Sequence, residues 1–153
     1  MSNYASKLSS YVEALRPIIY VPTFDFHAFD QELKQISDTV KIHEYNDGLG
    51  YVNFETKQPI SNTNIEKYSL EDFLALFISM DSPNAYLVLK DIHRHLEDPK
   101  ILSLLKTISL KNIHEEDYYV TVFIVATKLV IPIELEKLIT VYDNPLPSKE
   151  KIV

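Results

Sequence analysis

Tyr119-Val120-Thr121-Val122-Phe123-Ile124-Val125-Ala126 is the most β-prone stretch of the chain, and its reading decides the fold. Apolar or β-branched side chains fall on both alternating faces. A strand of that kind must be covered on both faces, as central strands of parallel sheets are. Ile18-Ile19-Tyr20-Val21, after Pro17, reads the same way, as does Ala85-Tyr86-Leu87-Val88-Leu89, which ends at Lys90-Asp91. Weaker strands are expected at Val40 to Tyr45 and Ile139 to Tyr142.

Between these runs the apolar spacing changes from two to three and four, the helical period. One face is Tyr4, Leu8, Tyr11, Val12 and Leu15, and a second is Phe26, Phe29, Leu33, Ile36 and Val40. A third is Leu70, Phe73, Leu74, Phe77 and Ile78, and a fourth is Ile101, Leu102, Leu105 and Ile108. Thr23 or Asp25 is expected to cap the second helix, Ser69 the third and Asp98 the fourth, with Pro99 in its first turn. Asn46-Asp47-Gly48 signals a tight turn, and Tyr51 to Glu55 alternates as a hairpin arm would. Ile92 to Glu97 reads as a loop, and Ile133 to Leu138 as a short helical turn. This alternation predicts one domain over 1–153, an α/β fold in three αβα layers. Its sheet is expected to be five-stranded and mainly parallel, with right-handed crossovers.

Composition narrows the chemistry. The 153 residues are 46% hydrophobic and 24% charged, ordinary for one globular domain. No cysteine is present, which excludes thiol nucleophiles, cysteine-based zinc sites and disulfide scaffolds. The two glycines, Gly48 and Gly50, share one turn. Neither a G-x-x-x-x-G-K-[ST] phosphate loop nor a three-glycine dinucleotide loop can be written with them. A G-x-S-x-G nucleophile elbow is equally absent. Net charge is −7 and only Arg16 and Arg94 are arginines, so nucleic acid is not an expected partner. No apolar run approaches a membrane span, and Met1 to Ser10 lacks the apolar core of a signal peptide. A cytoplasmic location is the expectation, with no cofactor.

Resemblance adds a context. Val88-Leu89-Lys90-Asp91-Ile92-His93-Arg94-His95-Leu96-Glu97-Asp98-Pro99 resembles a segment of one AAA ATPase family. So do Val122 to Ala126, Ile131 to Lys137, and Ile139-Thr140-Val141-Tyr142-Asp143-Asn144-Pro145-Leu146-Pro147, while Pro17 to Thr23 resembles the family's opening strand. The family is that of hypothetical chloroplast reading frame forty-six, found in plastids, cyanobacteria and other bacteria. The resemblance implies an N-terminal AAA-like domain that has lost its phosphate loop, followed by a complete ATP-binding AAA domain. It implies the strand order 5-1-4-3-2, Asp91 as a Walker-B-like remnant, and Thr127 near the sensor-one position. Ile92 stands where a working Walker B strand carries its second acid. Asn144 to Pro147 would mark the exit toward the following segment, and Ser148-Lys149-Glu150 reads as a helix start that continues beyond a fragment.

Three functions are therefore weighed. The first is a non-catalytic N-terminal domain of an AAA ATPase, serving regulation, assembly or recruitment. Its partners would be the C-terminal ATPase domain and a further protein or a second copy of itself. The second is a small metal-dependent hydrolase or nucleotide-binding enzyme using Asp91, His93 and His95, whose alternate spacing puts them on one side of an extended segment. The bland alternative is a remnant acid beside loop histidines. The third is a stand-alone interaction protein, with Glu115, Glu116 and Asp117 as a candidate contact for a basic partner rather than a merely solvated loop. Tyr4, Tyr11, Tyr51 and Tyr68 could form an aromatic contact patch or cap the core edges.

Overall fold

The computed structural model describes residues 3–60 and 67–142. The expectations for the Tyr4 side chain, Asn144 to Pro147 and Ser148 to Glu150 lie outside what is described. In chain order the elements are α1 (Asn3–Glu13), β1 (Ile18–Pro22), α2 (Phe26–Ser37), β2 (Lys41–Asn46) and β3 (Gly50–Val52). They continue with α3 (Leu70–Ser79), β4 (Asn84–Lys90), α4 (Pro99–His114), β5 (Tyr119–Ala126) and β6 (Ile139–Val141). Two short 3-10 helices, His93–Glu97 and Ile133–Leu135, lie in the connections. The first of them replaces the loop expected at Ile92 to Glu97.

The sheet has six strands in the order β3-β2-β4-β5-β1-β6. That corrects the expected five strands to six: β3 is added at the edge, and the five parallel strands, β6-β1-β5-β4-β2, keep the relative order 5-1-4-3-2. A hairpin adds β3 antiparallel to β2, through Glu44↔Val52 and Tyr45↔Tyr51, so the sheet is mixed and mostly parallel. The Asn46 side chain builds the turn by accepting from the Gly48 and Leu49 amides. Gly50, at φ +82, takes a conformation that side chains with a Cβ disfavour.

Helices cover both faces. α3 and α4 pack on Ile18, Tyr20, Leu87, Leu89, Val122 and Ile124, and form the larger core. α1 and α2 pack on Ile19, Val21, Val88, Phe123 and Val125. The alternation of odd and even residues along β1, β4 and β5 thus feeds two cores, which is why these strands read as continuous apolar runs. Asp25 caps α2 through its contact with Ala28 N, Ser69 caps α3 and Asp98 caps α4. Among the described residues no helix is long and apolar enough to cross a membrane.

Among the described side chains, Tyr11, Tyr51 and Tyr68 do not form one patch. Tyr51 packs edge-on against Tyr68 and Phe73 beside the α3 core. Tyr11 packs against Tyr142 on the other face.

Candidate functional site

Five strands run parallel, so their C-terminal ends share one edge of the sheet, the edge at which open α/β sheets bind ligands. Register sets the levels there. Pro22 lies beside Ala126, Lys90 beside Val125, and Asn46 beside Lys90.

The connection from β1 to α2 is Thr23, Phe24 and Asp25 alone. Thr23 N donates to Ala126 O at 2.9 Å, which ties this short connection to the end of β5. The Thr23 hydroxyl accepts from Asp25 N at 3.0 Å, and Asp25 Oδ1 accepts from Ala28 N at 2.9 Å. A phosphate loop needs a longer arc of free amides that ends on an open helix N-terminus. Here the chain's own carboxylate occupies that N-terminus. Another anion would meet Asp25 before it met the helix dipole, so a triphosphate does not fit these residues.

Asp91 follows β4 with φ 56, a left-handed conformation uncommon outside glycine and the short polar residues. Its N–H donates to Val125 O at 2.9 Å. Its Oδ1 is buried without a partner among the described residues, as is His93 Nδ1. Ile92, which the resemblance sets at the position of a second Walker B acid, is fully buried in the α3–α4 core. His95 turns elsewhere: its Nε2 lies 2.7 Å from Asp47 Oδ1, while Arg94 holds Asp47 Oδ2 at 2.6 Å. Burial pushes the Asp47 carboxyl up, but the hydrogen bonds and charges of His95 and Arg94 outweigh it and hold the group below its ordinary range. His95 is therefore held apart from Asp91 and His93 by its contact with Asp47. Among the described residues no group of three or more His, Cys, Asp or Glu is arranged to hold a metal ion. Thr127 lies exposed just past the end of β5.

Beneath this edge, between α2 and the sheet, lies a group that the sequence reading missed. Lys90 Nζ contacts Asp30 Oδ2 at 2.8 Å and Glu44 Oε1 at 3.3 Å. Lys57 Nζ reaches the same two oxygens at 2.9 and 2.5 Å. Lys90, Asp30 and Glu44 are buried, and Lys57 closes the group from a turn built on the Asn53 side chain. Burial lowers the Lys57 ammonium, but its hydrogen bonds to Glu44 and Asp30 prevail and hold it above the ordinary lysine range. Two ammonium groups neutralise two carboxylates, which is what allows the charges inside. The one visible signal was a lysine ending an otherwise apolar strand.

A second buried acid is not neutralised in this way. Glu32 on α2 accepts from the Tyr142 hydroxyl at 2.5 Å, and its Oε1 has no partner among the described residues. Burial raises its carboxyl, with the Tyr142 bond opposing the rise. Above the ordinary carboxyl range, and up to the raised native value, the folded protein keeps a proton that the unfolded chain has lost. Stability therefore falls as pH rises through that window. Glu32→Gln should remove this part of the slope in urea unfolding measured across a pH series. An unchanged slope would show that Glu32 ionises as it does in the unfolded chain. His43 acts with the opposite sign. Burial and Lys41 lower it, so its contribution is lost as pH falls below about 6.5.

The acidic stretch lies at the opposite edge of the sheet, just before β5. Glu115 is held by Lys111 at 2.9 Å, and Glu116 and Asp117 are exposed.

Known structures share the architecture. The chain is similar to "Structure of Drosophila ORC bound to DNA", with TM-score 0.56, 8% identity, and 92% of this chain and 87% of that chain covered. It is also similar to "Structure of Drosophila ORC bound to AT-rich DNA and Cdc6", with TM-score 0.55, 7% identity, and 92% and 52% covered. It spans about half the length of that second chain. At such identities the likeness is one of fold. No curated protein matches the sequence. The sheet, its two helical layers and its closed β1–α2 turn define a three-layer α/β domain. The chain belongs to the SpoVK-like AAA ATPase N-terminal domain family, whose sequence model matches residues 4–144.

Proposed function

We propose that the chain is a non-catalytic N-terminal domain of an AAA ATPase. In this reading it works in the cytoplasm on the C-terminal ATPase domain of the same protein, by regulation, assembly or recruitment of a protein partner. The observation that carries it is the closure of the β1–α2 turn by Asp25. Ile92, buried where a general base would stand, supports it. The narrower kinship with the family of chloroplast reading frame forty-six belongs to the same proposal and rests on the segments from Val88 to Pro99 and Val122 to Pro147. No nucleic-acid partner is proposed, since net charge is −7.

Calorimetric titration of the 153-residue chain with Mg-ATP is expected to show no saturable heat. Saturable binding that Asp25→Ala leaves unchanged would overturn the reading of a closed cradle. For the role itself, the whole ATPase is compared with a form lacking residues 4–144. An altered ATPase rate, assembly state or partner capture is expected, and identity in all three would sink the role. Glu116 and Asp117 are the candidate contact for a basic partner. Their replacement by lysine should reduce its capture, and unchanged capture would remove that surface from the proposal.

A further inference from the structure

At the N-terminal edge of the strands, far from the closed turn, α1 ends over a cavity of about 240 Å³. Its floor is set by register. Asn84 lies beside Tyr119 and Tyr86 beside Thr121, so these four residues form a square on the face that α1 and α2 cover. Val12, Leu15 and Arg16 overhang it from the end of α1, and Val40 closes one side.

Of its polar side chains, Asn112 is spent on Val120, donating to its carbonyl and accepting from its N–H, and the others are uncommitted. Among the described residues the side chains of Asn84, Tyr86 and Thr121 have no hydrogen-bond partner. Arg16 gives one hydrogen bond to the Thr140 hydroxyl at 3.2 Å and lies 5.6 Å from the Tyr11 ring centroid, with no carboxylate partner among the described residues. In a chain with 22 acids and two arginines, an arginine facing a cavity without an acid is notable. Burial, then the charges of Asp38 and Glu13, raise the Tyr86 phenol, so it stays a donor at neutral pH. Asn84, Tyr86 and Thr121 can thus each donate, and the Arg16 guanidinium adds a positive charge. The walls between them are valine, leucine and tyrosine. Leu15 at the rim is 69% exposed with φ 58, where helices more often end on glycine or asparagine.

We propose that this cavity binds a small ring-bearing carboxylate. A dry engineered cavity of roughly 150 Å³ takes benzene, so the volume here suits one ring with a short polar arm. The ring lies between Tyr86 and Tyr119. The carboxylate meets Arg16, Asn84 and Thr121 on the side away from Glu13 and Asp38. Binding there is independent of the ATPase reading, because the cavity and the closed turn lie at opposite edges of the sheet.

The probe is phenylacetate, titrated into the 153-residue chain and followed by backbone amide shifts. Saturable shifts centred on Arg16, Asn84 and Thr121 are expected. Phenethylamine, which carries the opposite charge, should bind more weakly by roughly tenfold or more, the weight of one charged hydrogen bond. Arg16→Gln should abolish that preference while the ring still enters. Failure of phenylacetate to saturate, shifts centred elsewhere, or a preference that survives Arg16→Gln would each overturn the proposal.

Discussion

Lys90→Met should destabilise the domain by about 3–5 kcal/mol, the cost of leaving a buried charge without its partner. Lys90 is 4% exposed at the end of β4 and sits between Asp30 and Glu44, which are 6% and 2% exposed. Without its ammonium, two buried carboxylates share Lys57 alone. Methionine keeps most of the methylene stem, so the loss reports charge rather than volume. Urea unfolding should show a lower midpoint with an unchanged slope. Adding Glu44→Gln removes one negative charge as well and leaves Lys57 paired with Asp30, so much of the loss should return. A cost under about 1 kcal/mol for Lys90→Met would place the group among solvent-screened surface pairs and refute its burial. No recovery in the double variant would assign the loss to packing.

Phe123→Ala should cost a comparable amount, about 3–5 kcal/mol, for a different reason. Phe123 is fully buried on β5, and its ring lies 5.6 Å from both Phe29 of α2 and Tyr86 of β4. It is the point at which the α2 layer rests on the middle of the sheet. Alanine leaves a cavity between backbones that hydrogen bonding holds in place, so collapse is limited. The measurement is again the unfolding midpoint. A loss near 1 kcal/mol would mean that α2 closes onto the sheet without this ring, as readily repacked sites do.

The strands and helices were legible because their signals are local. β5 announced itself in a β-branched apolar run, α2 in the steps from Phe26 to Leu33, and α3 and α4 in the caps Ser69 and Asp98. That no G-x-x-x-x-G-K-[ST] loop can be written was legible as well, because such a loop requires glycines that the chain lacks. The sixth strand was only half visible. Gly50–Val52 is a short arm, and whether it pairs depends on the free edge of β2 rather than on its own residues.

The site residues divide along the same line. Asp91 and Ile92 were singled out by their position along the chain, at the end of β4. The alternative that set His95 on one side with Asp91 required an extended segment; the segment is a 3-10 helix instead, and His95 meets Asp47. The charged quartet joins a helix, two strands and a turn. No pattern within any one of these segments requires it.

Sequence alone thus determined the alternation of strands and helices, the two-sided burial of the central strands and the absence of a glycine-rich cradle. Each follows from side-chain chemistry read within one or two turns of chain. Tertiary structure alone decided that Lys90 and Lys57 neutralise Asp30 and Glu44, and that Arg16 overhangs a cavity floored by β4 and β5. These depend on which segments meet in space. That meeting is set by packing across the sheet, where residues distant in sequence become neighbours.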